Sequence, residues 1–90
     1  NNIGAKRGLA ILNMLEGNYS EAVELARFAY EKSKEYPYVY ETLAIALFFD
    51  GQVEESNKII EEFKAAGNEL EEDTKMLLNG QLTLNQYYQG

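Results

Sequence analysis

The sequence predicts an all-α fold built from repeated helix pairs, and three observations carry that prediction. Apolar residues recur at helical spacing almost throughout, as in Tyr40, Leu43, Ala44 and Leu47 at i, i+3, i+4 and i+7. Alternating strand patterns are absent. Gly17 and Gly51 stand 34 residues apart, and each closes an apolar run ahead of a polar residue, a large apolar residue and a new helical pattern. Three versions of one turn result: GNYS at 17–20, GQVE at 51–54 and GQLT at 80–83. A period of this length marks a helical repeat array.

The elements follow in order. Helices are expected over about 4–16, 20–35, 38–50, 53–66 and 69–79, with a short last one starting near 84. Gly17 ends the first, because glycine takes the left-handed conformation that closes helices. The second rests on Val23, Ala26 and Tyr30, with Asn18 and Glu21 at capping-box spacing. Pro37 fits the first turn of the third, where a missing donor costs nothing. Gly51 stops that helix, and Ile59, Ile60 and Phe63 carry the fourth. Gly67-Asn68 separates the fourth from the fifth, and Asn68 with Glu71 has capping-box spacing again. Asn79-Gly80 is a turn dipeptide. Thr83 and Gln86 form a third capping box at the start of the last helix.

The chain has 90 residues, which is one small domain, with 46% hydrophobic and 26% charged residues and a single Pro, a balance that argues against disorder. Its net charge of −7 repels phosphate backbones and disfavours anionic lipid surfaces, so no nucleic-acid partner is expected. The longest apolar stretch, Leu43 to Phe49, is too short to insert into a bilayer. With neither Cys nor His, disulfides, Cys/His zinc sites, thiol nucleophiles and His-based triads are all excluded. The chain begins at Asn1 with no signal pattern and reads as a fragment or a trimmed or mature form, placed in the cytoplasm.

At this point the sequence resembles the tetratricopeptide repeat family, whose unit is a pair of antiparallel helices. The second unit carries Tyr40, Leu43-Ala44, Leu47, Gly51 and Val53 at the family's spacing, then Ser56, Ile60 and Phe63. The first carries Leu9-Ala10, Gly17, Tyr19, Ala22, Ala26 and Ala29. Lys6 and Asn13 depart from the pattern, Pro37 comes three residues late, and the third unit is five residues short before Gly80. The resemblance implies helix pairs stacked as a short right-handed superhelix. Residues 1–90 then form one domain, with repeat 1 at about 4–36, repeat 2 at about 37–67, and a partial repeat and cap at 68–90. Leu82, Leu84, Tyr87 and Tyr88 are the side chains through which 81–90 would fold back as that cap.

Chemistry is sparse. Glu61-Glu62 and the group Glu69, Glu71, Glu72 and Asp73 read as a solvated face, since consecutive acids fan out around a helix. Asp50 to Glu61 has the length of a calcium loop but lacks Gly at its sixth place. No base, nucleophile and oxyanion donor can be assembled, so the expectation is a non-enzyme without metal or cofactor. The informative stretch is YVYETLAIALFFD, 38–50. Beyond its core face it carries Tyr38, Ile45, Phe48 and Phe49 on the opposite side, and a helix apolar all round is either covered twice or offers a binding face. Ile11, Met14 and Leu15 occupy equivalent places one unit earlier, and Arg7 and Glu41 lie on the same stripe.

In the resembled family the first helix of each pair lines a ligand groove. The resemblance therefore implies a groove of Arg7, Ile11, Met14, Leu15, Tyr38, Glu41, Ile45, Phe48 and Phe49 for an apolar or amphipathic protein or peptide segment. Family members that clamp carboxylate tails use Lys, Asn and Arg there; Ile11, Thr42, Glu72 and Met76 replace most of that set, which speaks against that specificity. The competing readings are that the stripe is core, capped by 81–90 or by another subunit, and that the chain serves self-association as a homodimer or is an accessory part of a larger protein.

Overall fold

The computed structural model describes residues 3–89. Among them are six helices and no strand: α1 Ile3–Leu15, α2 Tyr19–Lys32, α3 Pro37–Phe49, α4 Val53–Ala65, α5 Glu72–Leu78 and α6 Leu84–Gln89. One device ends the first, third, fourth and fifth helices. Gly17, Gly51, Gly67 and Gly80 take φ of 85°, 87°, 96° and 88°, a region where any other L-residue is strained. The Gly17 amide donates to the Met14 carbonyl at 3.1 Å, and the Asn18 amide reaches Asn13 at 2.8 Å. Gly51 and Gln52, Gly67 and Asn68, and Gly80 and Gln81 repeat that pair of bonds, which satisfies carbonyls that a helix C-terminus leaves open.

Consecutive helices α1 to α4 pack each against the next, and α3 also touches α1. The short connections turn each helix back along its neighbour. α3 lies at the centre, with Val39, Leu43, Ala46 and Leu47 wholly buried. Around it gather Ala10 and Met14 of α1, Ala22, Ala26 and Tyr30 of α2, and Ile59 and Phe63 of α4. Small residues on α2 allow close helix approach, and aromatic edges complete the packing: Tyr30 meets Tyr40 edge-on at 5.4 Å between ring centroids, and Tyr40 lies 6.0 Å from Phe63. The buried polar side chains find partners. Ser56, for example, donates from its hydroxyl to the Ala44 carbonyl at 2.7 Å, and joins α4 to α3.

Local chemistry moves several expected boundaries. α2 stops at Lys32 rather than near 35, because Pro37 forces Tyr36 into an extended conformation (φ −98°, ψ 121°) and Ser33 closes the helix by donating its amide to Ala29. Pro37 itself takes the first turn of α3, as the sequence implies. Two of the three expected capping boxes do not form. Asn18 sits before α2 but makes no side-chain cap; its amide reaches toward Asn13 at 3.4 Å. Asn68 is engaged with the end of α4, its side chain donating to the Phe63 carbonyl at 3.3 Å, so α5 starts at Glu72 with Glu71 as its cap position. The third box forms in full: the Thr83 amide donates to Gln86 Oε1 at 2.9 Å, and the Gln86 amide donates to Thr83 Oγ1 at 3.1 Å.

Candidate functional site

The stripe singled out on α1 and α3 comes together in space, but it is not an open groove. Met14 and Ile45 are each 1% exposed and belong to the core, which corrects their assignment as groove lining. Ile45 adjoins Thr74 and Leu78 of α5 in a hollow too tight to hold water, and Met14 and Leu15 lie beside Leu82 and Leu84. Arg7, Ile11, Leu15, Tyr38, Glu41, Phe48 and Phe49 remain half-buried.

Short C-terminal elements do the covering. α6 touches α5 and α1. Leu84 is buried, and Leu82, Tyr87 and Tyr88 pack on the core while keeping part of their surface in water. The Tyr87 and Thr74 hydroxyls share a hydrogen bond of 2.7 Å, which pins α6 to α5. Burial pushes the Tyr88 phenol above its usual range, while the nearby Arg7 charge pulls the other way and Glu41 adds to the rise. Both charged members of the stripe thus act on Tyr88.

Of the two, Arg7 is already committed within the chain. The Arg7 Nε–H donates to Thr42 Oγ1 at 2.9 Å, and the Thr42 hydroxyl donates in turn to the Tyr38 carbonyl at 2.9 Å. The guanidinium also lies 5.0 Å from the Tyr38 ring centroid, a cation–π distance. Tyr38 stacks on Tyr36 at 5.5 Å and 12°. Glu41 is held above the ordinary carboxylate range first by burial and then by Glu71, with Arg7 opposing both. Thr42 is the residue whose place sequence reasoning noted without seeing its role; nothing in the helical spacing signals its bond to a residue 35 positions earlier.

What stays accessible is an aromatic and aliphatic rim near the turns. Leu15, Tyr19, Phe49 and Leu82 line a shallow hollow there. Tyr19 and Phe49 are 5.9 Å apart, and Phe48 meets Phe49 edge-on at 5.3 Å. The described residues contain no group of three or more acids, Cys or His placed to hold a metal, and no helix long and apolar enough to cross a membrane. No family model matches the chain, and no curated protein or solved structure matches it either.

Proposed function

We propose that the chain is a protein-interaction module that takes an apolar or amphipathic protein or peptide segment on the face made by α1 and α3, with its helix pairs stacked in the superhelical manner of tetratricopeptide repeats. One observation carries the reading: a short amphipathic helix, α6, already packs against α1, with Leu84 buried and Leu82 and Leu84 beside Met14, Leu15 and Phe49 of that face. The surface thus has the shape and chemistry to receive a helix with a leucine and aromatic side chains, the helix-in-groove mode of recognition. In the resting chain its own C-terminal segment is the occupant. The aromatic rim of Phe48 and Phe49 beside it offers an anchor for a longer segment. The reading involves no catalytic step and no cofactor.

The test uses a labelled peptide of residues 82–89, LTLNQYYQ. It is titrated against the wild-type chain and against Leu84→Asp/Tyr88→Ser, in which the chain's own helix is undocked. The expected result is binding to the variant, and binding at least ~10-fold weaker to the wild type, where the tethered segment competes at high effective concentration. A variant that keeps its helicity yet binds no peptide at about 1 mM overturns the reading, since the segment's affinity for the face is then worth less than about 4 kcal/mol.

A further inference from the structure

A second surface lies on α1, flanking the stripe beside which Leu82 and Leu84 pack. Leu9 and Leu12 are 47% and 54% exposed, the two leucines most open to water among the described residues. Gly8 lies beside them on the helix, also exposed. A side chain built at Gly8 would meet nothing within 4 Å. Neither a positive φ nor a close intramolecular neighbour explains a glycine that weakens a helix interior by about 1 kcal/mol relative to Ala.

The internal repeat shows what such a face does. Adding 34 to Leu9 and Leu12 gives Leu43 and Ala46. Both are wholly buried on α3, the helix packed against α2 on one side and α4 on the other. The charge pattern points the same way. α2, α4 and α5 carry acids in the first turn and a base in the last, the arrangement that suits a helix dipole in water. α1 carries neither, as is true of the enclosed α3 and of the six-residue α6. Instead Glu16 follows its C-terminal end, where an acid is unfavourable for a lone helix.

We propose that the Gly8/Leu9/Leu12 face of α1 is a homodimer interface, in which two copies pack α1 against α1 antiparallel about a two-fold axis. The face is self-complementary in that arrangement. Leu12 of each copy enters the gap over Gly8 of the other, so one contact is made twice, as an isologous interface requires. Antiparallel packing also brings Glu16 of each copy to the N-terminal turn of the other's α1, where the dipole favours an acid and no acid is present. Head-to-tail stacking onto α4 of another copy is disfavoured. α5 covers that end, with Ile60 packed against Leu70 and Leu78, and the neighbouring Asn57, Glu61 and Lys64 are exposed and polar. This interface is separate from the α6-covered face, and the groove reading can fail without it.

One helix pair of this length buries less than the ~1,200 Å² of a standard stable interface, so a dissociation constant of about 10 μM to 1 mM is expected. Sedimentation equilibrium of the full chain across that range, in about 0.15 M salt to screen the net charge, should show a monomer–dimer transition. Leu12→Glu should leave the circular dichroism spectrum unchanged and weaken the dimer at least ~10-fold. Gly8→Ala should raise the monomer's melting temperature and still weaken the dimer, a split that a purely structural glycine would not produce. Because the chain has no Cys, register can be read by crosslinking: an equimolar mixture of Gly8→Cys and Leu12→Cys chains should oxidise mainly to the mixed pair. A monomer at every concentration overturns the proposal, as does a dimer that survives Leu12→Glu. Binding of a synthetic helix with the residues of α2 to a chain that stays monomeric, abolished by Leu12→Glu, also overturns it by assigning the face to a different helix.

Discussion

Leu47 is wholly buried, while Phe48, the next residue, is half-buried with its ring edge-on to Phe49. Leu47→Ala leaves a cavity at the centre of the molecule and should cost about 2–5 kcal/mol. Phe48→Ala should cost less than Leu47→Ala, about 1–3 kcal/mol, because part of its ring already faces water and the space it leaves opens to solvent. Urea denaturation of both variants checks the difference, and equal losses would make Phe48 a core residue. Glu41 gives a pH signature at the same scale. Its carboxyl is raised in the folded state, chiefly by burial, so the native chain binds a proton more tightly than the unfolded one. Stability from this group is therefore lost as pH rises from the unfolded value of 4.5 through the folded pKa, and stays lost above it. Glu41→Gln should melt at a higher temperature than wild type at pH 7, and the gap should close below about pH 4. A gap unchanged across that range would mean that Glu41 pays no burial penalty.

At the scale of elements, helix ends separate what pattern encodes from what it does not. Thr83 and Gln86 exchange the two bonds of a capping box, whereas Asn18 at the same spacing from Glu21 makes no side-chain cap. Thr83→Ala should therefore destabilise by about 0.5–2 kcal/mol and Asn18→Ala by a few tenths, measured by thermal melting. The reverse order would show that the cap at α6 carries no energy. The glycine stops, Pro37 and the helical spacing were legible in sequence because each acts through the residues next to it. Asn18 and Asn68 were misread for a related reason: each follows a glycine stop and its backbone amide completes the closure of the helix before it, so capping the helix after it is a second task that its side chain does not take up. Covered faces were legible only in part. The fold-back of 81–90 through Leu82, Leu84, Tyr87 and Tyr88 could be expected from its apolar residues, and these side chains do pack on the core. Nothing in α3 announces that α5 lies over Ile45, since docking of a seven-residue helix depends on contacts far along the chain.

For the whole molecule, burial falls off from the centre to the C-terminus. α3 is enclosed by its neighbours, while α6 packs mainly on the short α5 and on α1. Amide hydrogen exchange should follow that gradient. α3 amides should exchange by global unfolding, and those of α6 at least ~100-fold faster by local opening. Uniform protection would show that α6 and α3 open as one unit, and would leave no room for a competing segment on the face that α6 covers. The glycine stops have a consequence for how such a molecule can change size. Gly17 and Gly51 close their helices with φ of 85° and 87° and the same two bonds, and 34 residues separate them. A second copy of residues 18–51 spliced in after Gly51 meets an identical joint on both sides, so the chain can lengthen without inventing a turn. An insertion that does not run from one glycine stop to another lacks that property, because it leaves one helix without its stop or one stop without its helix. Growth of this molecule by duplication is therefore permitted in whole steps, and the step size is set by two glycines.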